Sequence, residues 1–314
     1  MFDLPFTTER TIIINKPIHD VFALVSDFKA WRVWSPWLCQ EPECPVDITG
    51  TAHTVGHAQA WNGTRIGQGD MCLSAIEPNQ RLEYALTFIQ PWKSKSHVTF
   101  DFTPENDGTK VVWSMQGTVP IFLFFLRKMM SAYVGHDYAR GLNMLKEYAE
   151  TGHVLSRVDV KGDVERAGFH YLGLHRTCAI VDIGPQMQAD FKMLSELQTQ
   201  QIVPAPDFHL SFSHQFNFTK GRCEYTAAYG YENPPEHQPD ARLLTGKVTQ
   251  HHAQQVDHFG AYRHLGNAWS TLMGYQKHTR KKPAKRIPKY EVYATHPDQC
   301  AEEDIHTQLY APFR

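Results

Sequence analysis

The sequence predicts an α+β fold in two parts, an antiparallel sheet wrapped on a long helix followed by a strand-helix-strand-strand unit present twice. Three observations carry this expectation. The chain of 314 residues exceeds the usual extent of one hydrophobic core, and the polar stretch HVLSRVDVKGDV at 153–164 offers a linker between domains at 1–152 and 165–314. Strand-like runs between 53 and 117 are separated by turns of only a few residues, which imposes an antiparallel meander. The remainder repeats one pattern of elements twice.

Taken in order, ERTIIINKP (9–17) is a β-branched run stopped by Pro17, and Ile18, Val21, Phe22, Val25 and Phe28 then recur at helical spacing. The runs HTVGHAQAW, GQGDMCLSAI, RLEYALTFI, SHVTFDFTP and TKVVWSMQG follow as strands, with Val98, Phe100, Phe102, Val111, Trp113 and Met115 forming an apolar face. The apolar run VPIFLFFLRKMM (119–130) is interrupted by Arg127 and Lys128 and is too short to span a bilayer core of about 30 Å, so helix packing is expected. A helix over 134–150 carries the stripe Tyr138, Leu142, Leu145 and Tyr148, and the apolar sheet face is its natural bed.

The opening strand, DFKAWRVWSPW, the GQGDM strand, the TKVVWSM strand and the HDYARGLNMLKEYAE helix together resemble the START-like helix-grip superfamily (SRPBCC, polyketide-cyclase-like) over about residues 5–150. The resemblance implies a curved antiparallel sheet gripping its C-terminal helix around an apolar cavity, and no particular reaction. Trp31, Trp34 and Trp37 are expected to pack the helix end rather than to form a ligand cage. Cys39, Cys44, His53 and His57 fit no compact zinc pattern, so no metal is expected.

In the second part, strand 169–180, helix 183–200 and strands 209–218 and 222–232 are matched by strand 247–259, helix 260–278 and strands 290–297 and 303–312. The helices share a stripe, Met187, Phe191 and Leu194 in one and Leu265, Trp269 and Leu272 in the other. Within the last two strands, Tyr290, Val292 and Ala294 alternate with Glu291, Tyr293 and Thr295, and Ile305, Thr307 and Leu309 with His306, Gln308 and Tyr310. The apolar residues Val292, Ala294, Ile305 and Leu309 are expected under the helices. Glu291, Tyr293, His306, Gln308 and Tyr310 are expected to line an open face on the other side.

The FGAYRHLGNAW helix entry, the paired repeats, the YEVY strand and the closing DIHTQLYAPFR strand resemble the GyrI-like effector-binding family (AraC effector-binding, SOUL-like) over about residues 165–314. The resemblance implies that Glu291 lies at the centre of a ligand groove and that Tyr262 belongs to it. His306 and Gln308 rest on strand alternation alone. No helix-turn-helix segment precedes the domain, so direct DNA binding is not expected.

Composition limits the rest. A formal net charge of -2 and 42% hydrophobic residues argue against nonspecific binding to nucleic acid or to a membrane and favour a small-molecule ligand or a protein partner. The basic cluster RKKPAKR (280–286) reads as a solvated loop. Six scattered cysteines and a start without signal-peptide features point to the cytoplasm. No GxSxG, HExxH or Gly-rich phosphate loop is present, and no cofactor is expected. Three functions stay open, as does the oligomeric state. In the first, Tyr293, Tyr310 and Trp269 stack on an amphipathic compound with Glu291 as counter-charge. In the second, Glu291 acts as general base and Tyr262 as acid in hydrolysing a strained, cyclopropanoid-type electrophile, a reaction that the GyrI-like resemblance implies. In the third, the chain is an inhibitor or adaptor bound to a protein target.

Overall fold

The computed structural model describes residues 3–90, 93–120, 126–238, 240–295 and 297–314. The chain divides into two compact units, Met1–Val154 and Leu155–Arg314.

The first unit runs β1 (Asp3–Ile14), α1 (Ile18–Ser26), α2 (Phe28–Trp34), β2 (Val46–Thr49), β3 (Ala58–Asn62), β4 (Gln68–Glu77), β5 (Arg81–Gln90), β6 (Ser94–Glu105), β7 (Gly108–Pro120) and α3 (Leu126–Thr151). Its antiparallel sheet has the order β1-β7-β6-β5-β4-β3-β2, the meander closed by the first strand returning to the last. Where one helix was expected after β1 there are two. Asp27 is extended (φ -114, ψ 112) and its carboxylate accepts from the Lys29 backbone N–H at 2.9 Å, an N-cap that restarts the helix in a new direction. Trp31 and Trp34 thereby reach the core at 1% and 0% exposure, and the Trp31 indole donates to the Val25 carbonyl at 2.8 Å. α3 lies along the sheet as its stripe predicts. Tyr138, Leu142 and Leu145 are buried, and the Tyr138 ring stacks on Trp113 with centroids 3.8 Å apart. Residues 121–125 of the apolar run lie outside the described residues, and among the described residues no helix is long and apolar enough to cross a membrane.

The second unit runs β8 (Ser156–Arg166), β9 (Phe169–Ala179), α4 (Ile183–Thr199), β10 (Phe208–Asn217), β11 (Arg222–Tyr231), β12 (Leu244–Val248), β13 (His251–Gly260), α5 (Leu265–His278), β14 (Lys289–Tyr293) and β15 (His306–Phe313). Its antiparallel sheet, β12-β9-β11-β10-β14-β15-β13-β8, is symmetric about the β10–β14 seam. Each repeat carries one strand more than its sequence pattern suggests, and that strand is exchanged: β8 pairs with β13, and β12 with β9. The expected linker at 153–164 is therefore largely β8. Its alternation is broken by a bulge, where the register against β13 shifts between Gln255 and Val256 and Gly162 takes φ +90, a conformation that favours glycine. Val158 and Val160 pack with one cluster and Val164 with another, so no single apolar face marks the strand.

The two helices cover one sheet face. α4 seats Leu194 and Leu197 on Leu172, Leu174 and Tyr229, and α5 seats Ala268 and Leu272 on Val256 and Leu309. The other face, expected to be open, is packed: Leu210, Tyr290 and Tyr310 are each 0% exposed and cluster with Phe169, Phe212 and Val248.

Candidate functional site

Period-two alternation within β14 and β15 holds, but the phase between the strands differs from expectation. The register pairs Glu291 with Leu309, Tyr293 with Thr307, and Val292 with Gln308. Directly paired residues share a face. Glu291 and Tyr293 therefore stand on the helix side with Leu309, while His306, Gln308 and Tyr310 stand on the opposite side with Val292. The connection between these strands is long and supplies no tight turn from which register could be read. On their own side, His306 Nε2 lies 3.0 Å from Asp257 Oδ2, its ring stacks on Phe259 at 4.4 Å, and the Tyr310 hydroxyl donates to Gln308 Oε1 at 3.0 Å. These three residues form no common site with Glu291.

The residues that do come together are Glu291, Tyr293, Trp269 and Tyr262. α4 packs on β9 and β11, and α5 on β8, β13 and β15, leaving β10 and β14 as the seam between the helices. Glu291 sits in that seam at 7% exposure. The Tyr293 hydroxyl donates to its Oε1 at 2.6 Å and the Trp269 indole to its Oε2 at 2.9 Å. Around this carboxylate the rings form an aromatic frame. Tyr262, in the turn before α5, meets Tyr293 edge to face at 5.7 Å, and Phe191 of α4 meets it edge to face at 5.4 Å.

Glu291 has no cationic partner among the described residues. Burial raises its carboxyl above the ordinary value, and the hydrogen bonds from Tyr293 and Trp269 only partly oppose this. The Tyr262 hydroxyl is pushed up too, first by burial and then by the charge of Glu291. A carboxylate so placed can take a proton or stand opposite a cation.

Phe191, Ser211 and His209 belong to this site and escaped sequence reasoning. Ser211 pairs directly with Glu291, and His209 with Tyr293. The signal was present, because Phe191 holds the place in the α4 stripe that Trp269 holds in α5.

The first unit contains a cavity of about 130 Å³ lined among others by Trp31, Trp37, Gln59, Trp61, Trp113 and Tyr138. The tryptophans near the α2 end thus serve packing and wall at once.

No curated protein matches the chain. Among solved structures, the chain is similar to protein MLL2253 from Mesorhizobium loti, with 19% identity over 46% of this chain and 96% of that one and a TM-score of 0.37. It is similar also to the Aha1 dimer from Colwellia psychrerythraea, with 19% identity over 46% and 97% and a TM-score of 0.35. Similarity to EcmrR, in its DNA complex, extends over 62% of this chain and 72% of that one, with 12% identity and a TM-score of 0.42. The family to which residues 5–150 match, and hence the sheet and gripped helix of the first unit, is that described as polyketide cyclase / dehydrase and lipid transport.

Proposed function

We propose that the chain is a two-site small-molecule binder, in which the second unit is a GyrI-like module capturing amphipathic aromatic cations at Glu291 and the first unit holds a separate apolar ligand. The observation that carries the second unit's role is the carboxylate of Glu291, 7% exposed, held by two neutral donors and paired with no base among the described residues. Burying an unpaired carboxylate opposes folding, and a ligand cation offsets that cost. Trp269, Tyr293, Tyr262 and Phe191 supply ring edges and faces for the ligand's apolar body. For the first unit, the family match over residues 5–150 and the apolar cavity support small-molecule binding.

Calorimetry with benzyltrimethylammonium and its neutral isostere neopentylbenzene tests the reading. The wild type should prefer the cation, and Glu291→Gln should abolish that preference while leaving the neutral compound nearly unchanged. Equal affinities for both compounds in the wild type would sink it.

A hydrolytic role is the second reading, favoured by one observation: Tyr262, whose hydroxyl burial and Glu291 keep protonated, stands against Tyr293, which is bonded to a carboxylate of raised proton affinity. Glu291 would then take a proton from water and Tyr262 would protonate the leaving atom. Turnover of a strained electrophile, lost about a hundredfold in Glu291→Gln with affinity kept, would decide for it.

A further inference from the structure

Among the described side chains lining the cavity of the first unit, two buried polar atoms have no hydrogen-bond partner, Gln59 Oε1 and Trp113 Nε1, and only the first is an acceptor. Gln59 of β3 is 7% exposed, and its Oε1 is buried without a hydrogen-bond partner among the described residues. β3 pairs Gln59 with Met71, and both line the cavity, so the amide points inward with the apolar face of the sheet. Ser35 Oγ, also in the lining, is already engaged, accepting from the backbone N–H groups of Trp37 and Leu38, and the Trp37 indole donates to Asp137 Oδ2.

Two quantities set the ligand. The volume is about 130 Å³, close to the roughly 150 Å³ of an engineered apolar cavity that accepts benzene. One six-membered ring fits, whereas a fused polycycle or an acyl chain would have to displace the walls. An orphaned carbonyl oxygen in a largely apolar pocket asks for one hydrogen-bond donor on that ring, and the rings of Trp61, Phe88 and Trp113 offer edges and faces to the remainder.

We propose that the first unit takes a single-ring phenol, its ring within the aromatic walls and its hydroxyl donating to Gln59 Oε1. The inference rests on the reading of the first unit as a small-molecule binder and is independent of Glu291.

Titration calorimetry on the full chain with phenol and toluene, which differ by hydroxyl against methyl, tests it. The wild type should bind phenol more tightly than toluene. Gln59→Met should weaken phenol on the order of tenfold and leave toluene equal or tighter, because the unpaired acceptor is gone. Ile66→Trp, which fills the cavity, should abolish binding of both compounds. If Gln59→Met does not fold, the wild type alone decides: toluene bound as tightly as phenol overturns the hydroxyl assignment. Binding of neither compound overturns both this inference and the small-molecule reading of the cavity. Phenol binding kept in Ile66→Trp would place the site outside this cavity and overturn it as well.

Discussion

Ser211 and Glu291 face one another across the central strand pair, and the register is symmetric about them, with Leu210 opposite Val292 and Phe212 opposite Tyr290. The approximate twofold axis of the second unit therefore passes between a hydroxyl and a carboxylate. Phe191 and Trp269 repeat the symmetry in the helices above. A guest in the seam meets aromatic rings on both sides and charge on one, so the duplicated backbone provides the cradle and a single residue provides polarity.

Trp269→Phe separates ring from donor. The ring is kept and the indole N–H, 2.9 Å from Glu291 Oε2, is lost. At pH 7 the variant should be less stable by about 1.5–3 kcal/mol, the range for a hydrogen bond to a charged group. The loss should shrink at pH 4, where a carboxyl of raised pKa is mostly protonated. Urea denaturation at the two pH values checks this. Equal losses would assign the effect to ring volume.

His258 is 0% exposed, and burial, reinforced by His264, pulls its imidazole down to about 4. Its Nε2 lies 3.0 Å from Ser156 Oγ, a contact that serves the neutral ring. A depressed folded value means that the stability it contributes is complete above the ordinary 6.5 and is lost as pH falls through about 4. NMR titration of the His258 ring should show no midpoint between pH 6 and 8. A midpoint near 6.5 would place the ring in contact with water.

How much of this was legible depended on distance along the chain. The stripes Tyr138, Leu142 and Leu145, and Leu265, Trp269 and Leu272, are local periodicities, and they identified α3 and α5 and the faces they bury. The break at Asp27 was hidden because Ile18 to Phe28 keep helical spacing across it, and only the cap geometry separates α1 from α2. β8 was hidden by its bulge and by its charges, which suit an edge strand and imitate a linker. Glu291 could be placed on a face with Tyr293, but whether Leu309 or Tyr310 stood beside it is a fact of inter-strand register. A slip of one residue exchanges every neighbour, which is why Tyr310, His306 and Gln308 were grouped with the wrong side. Gln59 gave no signal, since one amide in a strand looks solvent-facing until its partner Met71 is known.

Leu142 of α3 is 1% exposed in the core beneath the gripped helix. Leu142→Ala should destabilise the first unit by about 2–5 kcal/mol through lost burial and a residual cavity. In the fragment 1–154, which we expect to melt cooperatively on its own, the same loss should recur. A shift near zero in either protein would remove Leu142 from the core.

The last prediction concerns proton linkage at Glu291. Burial raises the carboxyl above its ordinary 4.5, against the opposing hydrogen bonds of Tyr293 and Trp269. A group whose folded value is raised favours the folded state fully below 4.5, where it is protonated before and after unfolding. That contribution is lost as pH climbs through the raised value, because the unfolded carboxyl then ionises more readily than the buried one. Glu291→Gln cannot ionise, and its amide still offers one acceptor while the Tyr293 hydroxyl can turn to accept from the new N–H. The variant should therefore match the wild type or fall slightly below it near pH 4, and gain on it steadily toward pH 8. The difference between the two melting temperatures isolates this one group, since every other titration is shared. A difference that stays flat from pH 4 to 8 would mean that Glu291 ionises as freely in the seam as in water. A buried cation in the wild type would produce the opposite slope, with the variant losing ground as pH rises, and titrating benzyltrimethylammonium into the wild type should reproduce that reversal if the seam binds cations.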